Sequence, residues 1–211
     1  MKVYLTIVDT MADWEVGYLT AELHSLRFFA NPLAPFELVK AGLTHAPIRT
    51  MGGIEIQPDV RLHEIAWQPG DLLVMLGGEL WEEPQMTPAL ACARHALEHG
   101  HNVAAICGAT IGLALLGVLD DYDHTSNDLG YLKESCPGYD GAARYRTEPA
   151  VRDRNLITAT GLAPLEFAYE VFKLLGVMRP DTLEAWLQLH RTREARWFHA
   201  LVASMGADSA A

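Results

Sequence analysis

The sequence predicts an α/β protein with a doubly wound, mostly parallel sheet and helices on both faces. Short apolar runs typical of buried strands alternate with longer stretches whose apolar residues recur every three or four positions, as in amphipathic helices. The chain has 211 residues, of which 50% are hydrophobic and 20% charged, so it can bury one substantial core. The last segment departs from the alternation, and we expect a C-terminal helical extension there.

The elements of the predicted core follow one another from the N-terminus. Five strands are predicted, at residues 2–8, 36–40, 71–75, 102–106 and 155–158. Four helices are predicted between and after them, at residues 14–27, 88–99, 109–116 and 165–175. Turn-forming residues typical of short hairpins or turns at the edges of the sheet occur in residues 48–59, around Gly52 and Gly53, and in residues 149–156.

The C-terminal segment differs in character from the core. We divide the chain into an α/β domain, residues 1–177, and a helical extension, residues 178–211, that holds one or two helices from Pro180 onward. The apolar residues of these helices, among them Trp186, Trp197 and Phe198, need a surface to cover. That surface belongs either to the same chain or to a second subunit, and we expect a homodimer.

Composition excludes several classes of function. The net charge is −11 and basic residues are scattered until residues 191–196, so nucleic acid is not an expected partner. No stretch reaches the roughly 18–20 apolar residues of a membrane span, and residues 1–9 indicate a strand rather than a secretory signal. The three cysteines, Cys92, Cys107 and Cys136, have neither disulfide nor zinc spacing. We therefore expect a cytoplasmic protein without a metal or another cofactor.

Cys107 is the leading candidate for chemistry. Residues 102–110 indicate a buried strand that stops at Cys107 and turns at once into a helix of small residues. Such a turn strains the apical residue and exposes it to the helix N-terminus, whose free N–H groups favour a reactive thiolate. The alternative is a small hydrophobic side chain at the end of a core strand.

Two other predicted strands end in loops that point to the same edge of the sheet. In parallel α/β sheets ligands bind outside the carboxyl ends of the strands. After the first strand comes Glu15, which is either functional or a carboxylate stabilised by the helix dipole. After the third come Gly77 and Gly78, which either let a backbone N–H face a ligand or form a plain turn.

Together these motifs resemble the ThiJ/PfpI superfamily. The resemblance rests on Asp13–Trp14–Glu15, Leu76–Gly77–Gly78, Ala105–Ile106–Cys107–Gly108–Ala109 and His124–Thr125–Ser126–Asn127, and it covers residues 1–177. Members include the Parkinsonism-associated deglycase and bacterial proteins labelled intracellular protease or amidase. The resemblance implies a flavodoxin-like, doubly wound fold of the kind also found in class I glutamine amidotransferases.

The resemblance also implies roles for single residues. Cys107 matches the family nucleophile, and Glu15 matches a glutamate that is protonated by burial and hydrogen-bonds the sulfur. Gly78 and Gly108 match the N–H donors of an oxyanion hole. Trp14, Gly77, Asn127 and His124 are further candidates for the pocket.

This chain departs from the family at the histidine positions. Gly108 follows the cysteine where protease-like members have a histidine, and Asn127 follows the Thr–Ser pair where many other members have one. Asparagine cannot act as a general base, so peptidase activity is disfavoured. His124 either turns inward or is an ordinary strand or loop histidine, and Asp128 either supplies a carboxylate or caps a helix.

Two further residues bear on the chemistry. The chain has Glu166 but no histidine where glutamine amidotransferases carry a His–Pro–Glu sequence, so glutaminase activity is disfavoured and Glu166 is a structural helix residue. Cys136 would be a resolving thiol if its loop folded over Cys107.

Three functions remain open on these grounds. The first is an enzyme in which Cys107 attacks a small electrophilic carbonyl substrate, in a glyoxalase, deglycase or amidase-like reaction, with Glu15 moving the proton. The second is a redox or stress sensor in which Cys107 oxidises to a sulfinic acid without turnover. The third is a binding protein that keeps the turn without the chemistry.

Overall fold

A seven-stranded sheet forms the centre of the molecule. The computed structural model describes residues 1–205. The strand order is β5-β2-β1-β6-β7-β9-β8, parallel throughout except for β8, which pairs antiparallel with β9 at one edge. The strands of this sheet are β1 (Lys2–Ile7), β2 (Glu37–Gly42), β5 (Val60–Arg61), β6 (Leu72–Met75), β7 (Asn102–Ile106), β8 (Ala150–Asp153) and β9 (Leu156–Ala159). A separate hairpin joins β3 (Ile48–Arg49) to β4 (Glu55–Ile56).

Helices cover the sheet on both faces, as the doubly wound prediction requires. The helices are α1 (Asp13–Ser25), α2 (Thr87–Glu98), α3 (Ala109–Leu115), α4 (Leu129–Ser135), α5 (Pro164–Leu175), α6 (Pro180–Thr192) and α7 (Ala195–Met205). The chain runs from β1 towards one edge and from β6 towards the other, so right-handed crossovers place α1 and α2 on opposite faces. Helix α5 packs against α1, and α3 packs against α2.

The central strands are buried because helices lie on both sides of them. Every residue of β6 and β9 is buried, as are Val103, Ala104, Ala105 and Ile106 of β7. This explains why these strands read as continuous apolar runs rather than as alternating patterns.

The five predicted strands and four predicted helices are confirmed, with ends shifted by one or a few residues. The predicted turns are confirmed too: residues 48–56 form the β3–β4 hairpin, and β8 turns into β9 at Arg154, whose φ is 51°. Among the strands and α-helices of residues 1–205, the two-residue edge strand β5 and helix α4 were not predicted.

Helix α6 packs on the core through α1 and α5, and α7 packs against α6. Trp186 of α6 is fully buried, stacks edge-on against Phe172 and donates a hydrogen bond from Nε1 to the Glu22 carboxylate (3.1 Å). Arg191 donates to Glu166 (2.9 Å), which gives Glu166 the structural role expected of it. The aromatic surface of α6 is therefore covered by the same chain. The last six residues of the predicted extension lie outside the described part of the chain.

None of the helices within residues 1–205 is both long enough and apolar enough to span a bilayer.

Candidate active site

Four loops meet at the carboxyl edge of the sheet. They follow β1, β6, β7 and β9, which are consecutive neighbours in the sheet. The strand order reverses between β1 and β6, and this switch point is where open α/β sheets bind ligands. Glu15 follows β1, Gly77 and Gly78 follow β6, and Cys107 follows β7. The fold thus brings the predicted site residues to one place.

Cys107 occupies the sharp turn predicted for it. Its φ of 58° lies in the left-handed region, which costs a non-glycine residue about 1–2 kcal/mol. The turn is held on both sides: the Cys107 N–H donates to the Ala159 carbonyl (3.0 Å), and the Thr110 hydroxyl donates to the Cys107 carbonyl (2.6 Å). Helix α3 begins two residues later at Ala109, and the Cys107 side chain stays partly exposed.

Glu15 lies fully buried beside this cysteine. The Gly77 N–H donates to its Oε2 atom at 2.6 Å. Its Oε1 atom has no hydrogen-bond partner of ordinary geometry within residues 1–205, and the Cys107 thiol is its polar neighbour. Burial raises the pKa of Glu15 to about 7, against the hydrogen bonds from Gly77 and from the thiol, which lower it. Near neutral pH this carboxyl can therefore both take and give a proton.

The protonation of Cys107 differs from the expectation based on the helix N-terminus alone. Burial, and to a smaller extent the Glu15 carboxylate, raise the pKa of the Cys107 thiol. Hydrogen bonds from the Asn127 amide and the Gly108 N–H lower it. The net direction is upward, because desolvation of the sulfur outweighs its donors. The raised pKa favours the thiol form of Cys107, and Glu15 lies beside it, where it can receive the thiol proton.

Two glycine backbones enclose the Cys107 side chain. A Cβ atom on Gly161 would lie 2.7 Å from the Cys107 sulfur, and one on Gly77 would lie 2.6 Å from both Cys107 Cβ and Glu15 Oε1. Any larger residue at either position would displace the cysteine or the carboxyl. The packing of the pair thus depends on the absence of these side chains.

The Gly78 and Gly108 backbones also lie against each other. A Cβ atom on Gly108 would lie 2.7 Å from the Gly78 carbonyl oxygen and 3.4 Å from the Gly78 nitrogen. Within residues 1–205 the Gly78 N–H donates to no acceptor, and the Gly108 N–H faces the cysteine closely enough to lower its thiol pKa. The Gly108 N–H thus faces the sulfur, and the Gly78 N–H lies against Gly108; an oxyanion hole would use donors of this kind.

Asn127 reaches the cysteine from the loop after residue 123. Its Nδ2 atom donates to the Cys107 sulfur at 3.3 Å, and its Oδ1 atom accepts from the Gly161 N–H at 2.8 Å. Asn127 is therefore a neighbour of the candidate nucleophile. The adjacent Asp128 accepts from the Tyr131 N–H (2.8 Å) and caps α4, the structural role that the sequence left open.

Trp14 and His124 have different positions relative to the site. Trp14 is exposed beside it and donates from Nε1 to the Gly161 carbonyl (3.4 Å). His124 does not take part. It is fully buried, with Nδ1 2.7 Å from the Tyr122 carbonyl and Nε2 2.6 Å from the Tyr139 hydroxyl. The carbonyl only accepts, so Nδ1 carries the proton and Nε2 accepts from Tyr139. Of the two alternatives that the sequence left open, these partners favour an ordinary strand or loop histidine over a site residue.

The other cysteines are poorly placed for thiol chemistry. Cys136 is buried and donates to the Ile111 carbonyl (3.6 Å), and burial raises the pKa of Cys136 to about 11. Burial raises the pKa of Cys92 to about 11 as well. Cys136 is therefore not disposed to act as a resolving thiol. No group of three or more His, Cys, Asp or Glu side chains in residues 1–205 is arranged to hold a metal ion.

Sequence reasoning missed the contribution of the loop after β9. Thr160 and Gly161 contact Asn127, and Gly161 also borders the cysteine and accepts from Trp14. Only the position of this loop could have predicted its role, because it follows a buried parallel strand that lies next to β7 in the sheet. Ser126 belongs to a motif that the sequence analysis quotes, but the contact of its hydroxyl with Thr110 Oγ1 (2.8 Å) was not predicted.

Comparison with known proteins agrees with this fold. Residues 1–174 match the model of the DJ-1/PfpI family. The chain is 47% identical over 201 residues to the uncharacterized protease YoaZ of Bacillus subtilis, covering 95% of this chain and 96% of that protein.

Solved structures agree as well. The crystal structure of a thiJ/pfpI family protein from Bacillus anthracis has a TM-score of 0.93 and 46% identity, covering 96% of each chain. A DJ-1 superfamily protein from Agrobacterium tumefaciens has a TM-score of 0.78 and 33% identity, covering 92% of this chain and 98% of that one. The chain therefore belongs to the DJ-1/PfpI family.

Proposed function

We propose that the protein is a cysteine-dependent enzyme that acts on a small electrophilic carbonyl compound, with a 2-oxoaldehyde as the substrate class. The observation that carries the proposal is the buried Glu15 carboxyl beside Cys107, with one oxygen held by the Gly77 N–H and the other without an ordinary partner. A carboxyl with a pKa of about 7 next to a nucleophile is suited to moving protons in both directions.

The first step is addition. Glu15 takes the thiol proton as the Cys107 sulfur attacks the aldehyde carbon, and the carbonyl π electrons move to oxygen. The N–H groups of Gly78 and Gly108 stabilise the developing oxyanion. Glu15 then returns the proton to that oxygen, and the product is a hemithioacetal. No group leaves in this step.

The second stage converts the hemithioacetal to a 2-hydroxy acid. Glu15 moves the proton from the former aldehyde carbon to the neighbouring ketone carbon by way of an enediol, which oxidises the first carbon and reduces the second. The resulting thioester adds water, the carbon–sulfur bond breaks, and the thiol is restored. The sum is one 2-oxoaldehyde plus one water to one 2-hydroxy acid, so no external oxidant or reductant is needed.

The name of the Bacillus subtilis relative suggests peptide hydrolysis instead. Two observations favour carbonyl chemistry over it in this chain: Gly108 follows the cysteine, and the amide of Asn127 donates to the sulfur. Neither can serve as the base of a cysteine–histidine pair.

Oxidation of Cys107 is a second candidate function with its own support. The Asn127 amide and the Gly108 N–H both point donors at the sulfur and would also hold a sulfinate oxygen. A binding protein without chemistry is less well supported, because Cys107 is partly exposed and Glu15 faces it.

The test measures lactate formed from methylglyoxal by the purified protein, by Cys107→Ala and by Cys92→Ala as a matched control. We expect Cys107→Ala to abolish lactate formation and Cys92→Ala to preserve it. Lactate formation that survives in Cys107→Ala would contradict the proposal. Peroxide oxidation confined to Cys107, in a protein that forms no lactate, would favour the sensor.

A further inference from the structure

Thr10 lies at a strained position in the loop between β1 and α1. The Met11 N–H donates to the Val8 carbonyl (3.2 Å), so Thr10 is the third residue of a tight turn. Its φ of 66° suits glycine or asparagine there, whereas a β-branched side chain is strained. The loop thus keeps a threonine where glycine would relieve the strain, and such an outlier points to a function for the side chain.

The Thr10 hydroxyl accepts a hydrogen bond from the loop after β6. The donor is the Glu79 N–H, 3.0 Å from Thr10 Oγ1. The Thr10 N–H donates to the Arg49 carbonyl at the end of β3 (2.9 Å), which anchors the residue to the β3–β4 hairpin. A glycine would keep the contact with Arg49 and lose the one with Glu79. The contact with Glu79 is therefore what the threonine side chain adds to this turn.

The two peptide groups on either side of Gly78 are both held by this loop. The Ala12 N–H donates to the Gly77 carbonyl (2.9 Å), and since the N–H and C=O of a trans peptide point in opposite directions, the Gly78 N–H points away from Ala12. In the next peptide the Glu79 N–H points to Thr10, so the Gly78 carbonyl points away from it. Backbone atoms hold the first peptide, and the Thr10 side chain holds the second.

Gly78 is packed between Thr10 and the cysteine turn. A Cβ atom on Gly78 would lie 3.3 Å from the Thr10 carbonyl oxygen and 3.4 Å from Thr10 Oγ1, and one on Gly108 would lie 3.4 Å from the Gly78 nitrogen. Gly78 has no side chain to restrict the rotation of its own peptides. Its orientation against Gly108 therefore depends on its contacts with the loop that carries Thr10.

We propose that Thr10 is a positioning residue for the candidate site: its hydroxyl braces the Gly78–Glu79 peptide and thereby orients the Gly78 N–H towards the oxyanion formed on the substrate. The inference rests on the proposed function for that oxyanion, while the bracing is independent of turnover. A donor contributes most when it is oriented before the charge develops, because reorientation then adds nothing to the barrier.

Two substitutions separate the hydroxyl from the strain. Thr10→Gly removes both, and Thr10→Ser keeps the hydroxyl. The matched control is Arg193→Gly, because Arg193 also has a left-handed backbone (φ 61°) but ends α6 with an exposed side chain. Since glycine adopts this conformation freely, both glycine variants should fold, with melting temperatures within about 4 °C of the parent.

The first test measures the exchange of the Glu79 amide proton with deuterated water by NMR. Thr10→Gly should speed this exchange by about 3- to 10-fold, the effect of losing one ordinary hydrogen bond. Thr10→Ser and Arg193→Gly should leave it within about twofold of the parent. An equal exchange rate in the parent and in Thr10→Gly would overturn the bracing.

The second test measures kcat and KM for methylglyoxal. Thr10→Gly should lower kcat by about tenfold or more with KM unchanged, since an oxyanion donor acts in the transition state. Thr10→Ser should retain most of kcat, and Arg193→Gly should match the parent in both constants. The parent kcat in Thr10→Gly, or a loss in Thr10→Ser as large as in Thr10→Gly, would overturn the positioning role. If the parent converts no methylglyoxal, the proposed function fails, and the Glu79 exchange rates still decide whether Thr10 holds the peptide.

Discussion

Two glutamates on helix α1 lie in contrasting environments. Glu15 and Glu22 are both at most 2% exposed and share the core-facing stripe with Leu19 and Leu23. Glu22 is fully partnered: Arg27 contacts both of its oxygens, with Nε 2.6 Å from Oε2, and Trp186 Nε1 donates to Oε1. Glu15 receives one backbone N–H and leaves its second oxygen beside Cys107.

The difference separates a structural carboxylate from a reactive one. Burial of a charge is costly unless the charge is paired and hydrogen-bonded, and Glu22 meets that condition by joining α1 to α6. Glu15 does not meet it, and burial raises its pKa to about 7 instead. A buried carboxyl that stays incompletely partnered next to a nucleophile is a candidate for catalysis.

The largest expected effect comes from exchanging each carboxyl for an amide. Glu15→Gln keeps the shape but removes the proton carrier, and it should lower methylglyoxal turnover by about 100- to 10,000-fold. Glu22→Gln should leave turnover unchanged and cost about 1–2 kcal/mol of stability, since the half-exposed Arg27 regains water. Turnover and urea unfolding of both variants check this. Equal turnover losses in the two variants would contradict the distinction between a reactive Glu15 and a structural Glu22.

The pH dependence of stability should carry the signature of Glu15. Its pKa rises from 4.5 in the unfolded chain to about 7 in the folded protein, so the folded state binds the proton more tightly. The stabilising contribution is full below pH 4.5 and is lost as pH rises through 7, with a total of about 1–3 kcal/mol.

Glu15→Gln isolates this contribution from those of other groups. The stability of the parent relative to this variant should fall as the pH is raised from 4.5 to 8.5, as measured by urea unfolding at each pH. If the difference in the free energy of unfolding between the two proteins stays constant over that pH range, Glu15 titrates normally.

The Glu15 environment also depends on the space that Gly161 leaves. Gly161→Ala places a methyl carbon 2.7 Å from the Cys107 sulfur and 3.3 Å from Glu15 Oε1. Overpacking of this kind costs about 1–3 kcal/mol, and we expect Cys107 alkylation to slow by about tenfold or more. Alkylation at the parent rate would mean that the loop after β9 moves away freely.

The smallest effect belongs to Gly17, which lies between the two glutamates on α1. A Cβ atom there meets nothing within 4 Å, so Gly17→Ala should stabilise the helix by about 0.5–1 kcal/mol and leave alkylation and turnover unchanged. It is the matched control for Gly161→Ala. Loss of activity in Gly17→Ala would show that the site responds to α1 as a whole rather than to local contacts.

Local patterns were enough to predict most of the fold. The central strands are buried on both faces, so each one reads as an apolar run between turns. Strand β5 has two residues, too few for any pattern. Helix α4 is short and mostly polar, and only its cap, Asp128, was visible in advance.

The candidate site was predictable in its residues and not in its energetics. Cys107, Glu15, Gly78 and Gly108 follow strands that share one sheet edge, and topology brings them together. The protonation state of Cys107 depends on how far the sulfur is desolvated, which is a property of the packed site. Gly161 acts through its backbone and the space it leaves, so residue type gave no sign of it. The homodimer and the cytoplasmic location stay predictions.

The central claim is that Glu15 and Cys107 share one site of proton exchange. Its most direct test is an NMR titration of glutamate carboxyl carbons in the parent and in Cys107→Ala, with Glu15 assigned by its loss in Glu15→Gln. We predict a Glu15 midpoint of about 7 in the parent. We also predict a higher midpoint in Cys107→Ala, because that variant lacks the thiol hydrogen bond that lowers the pKa of Glu15. A Glu15 midpoint near 4.5, or one that ignores the loss of Cys107, would contradict the account.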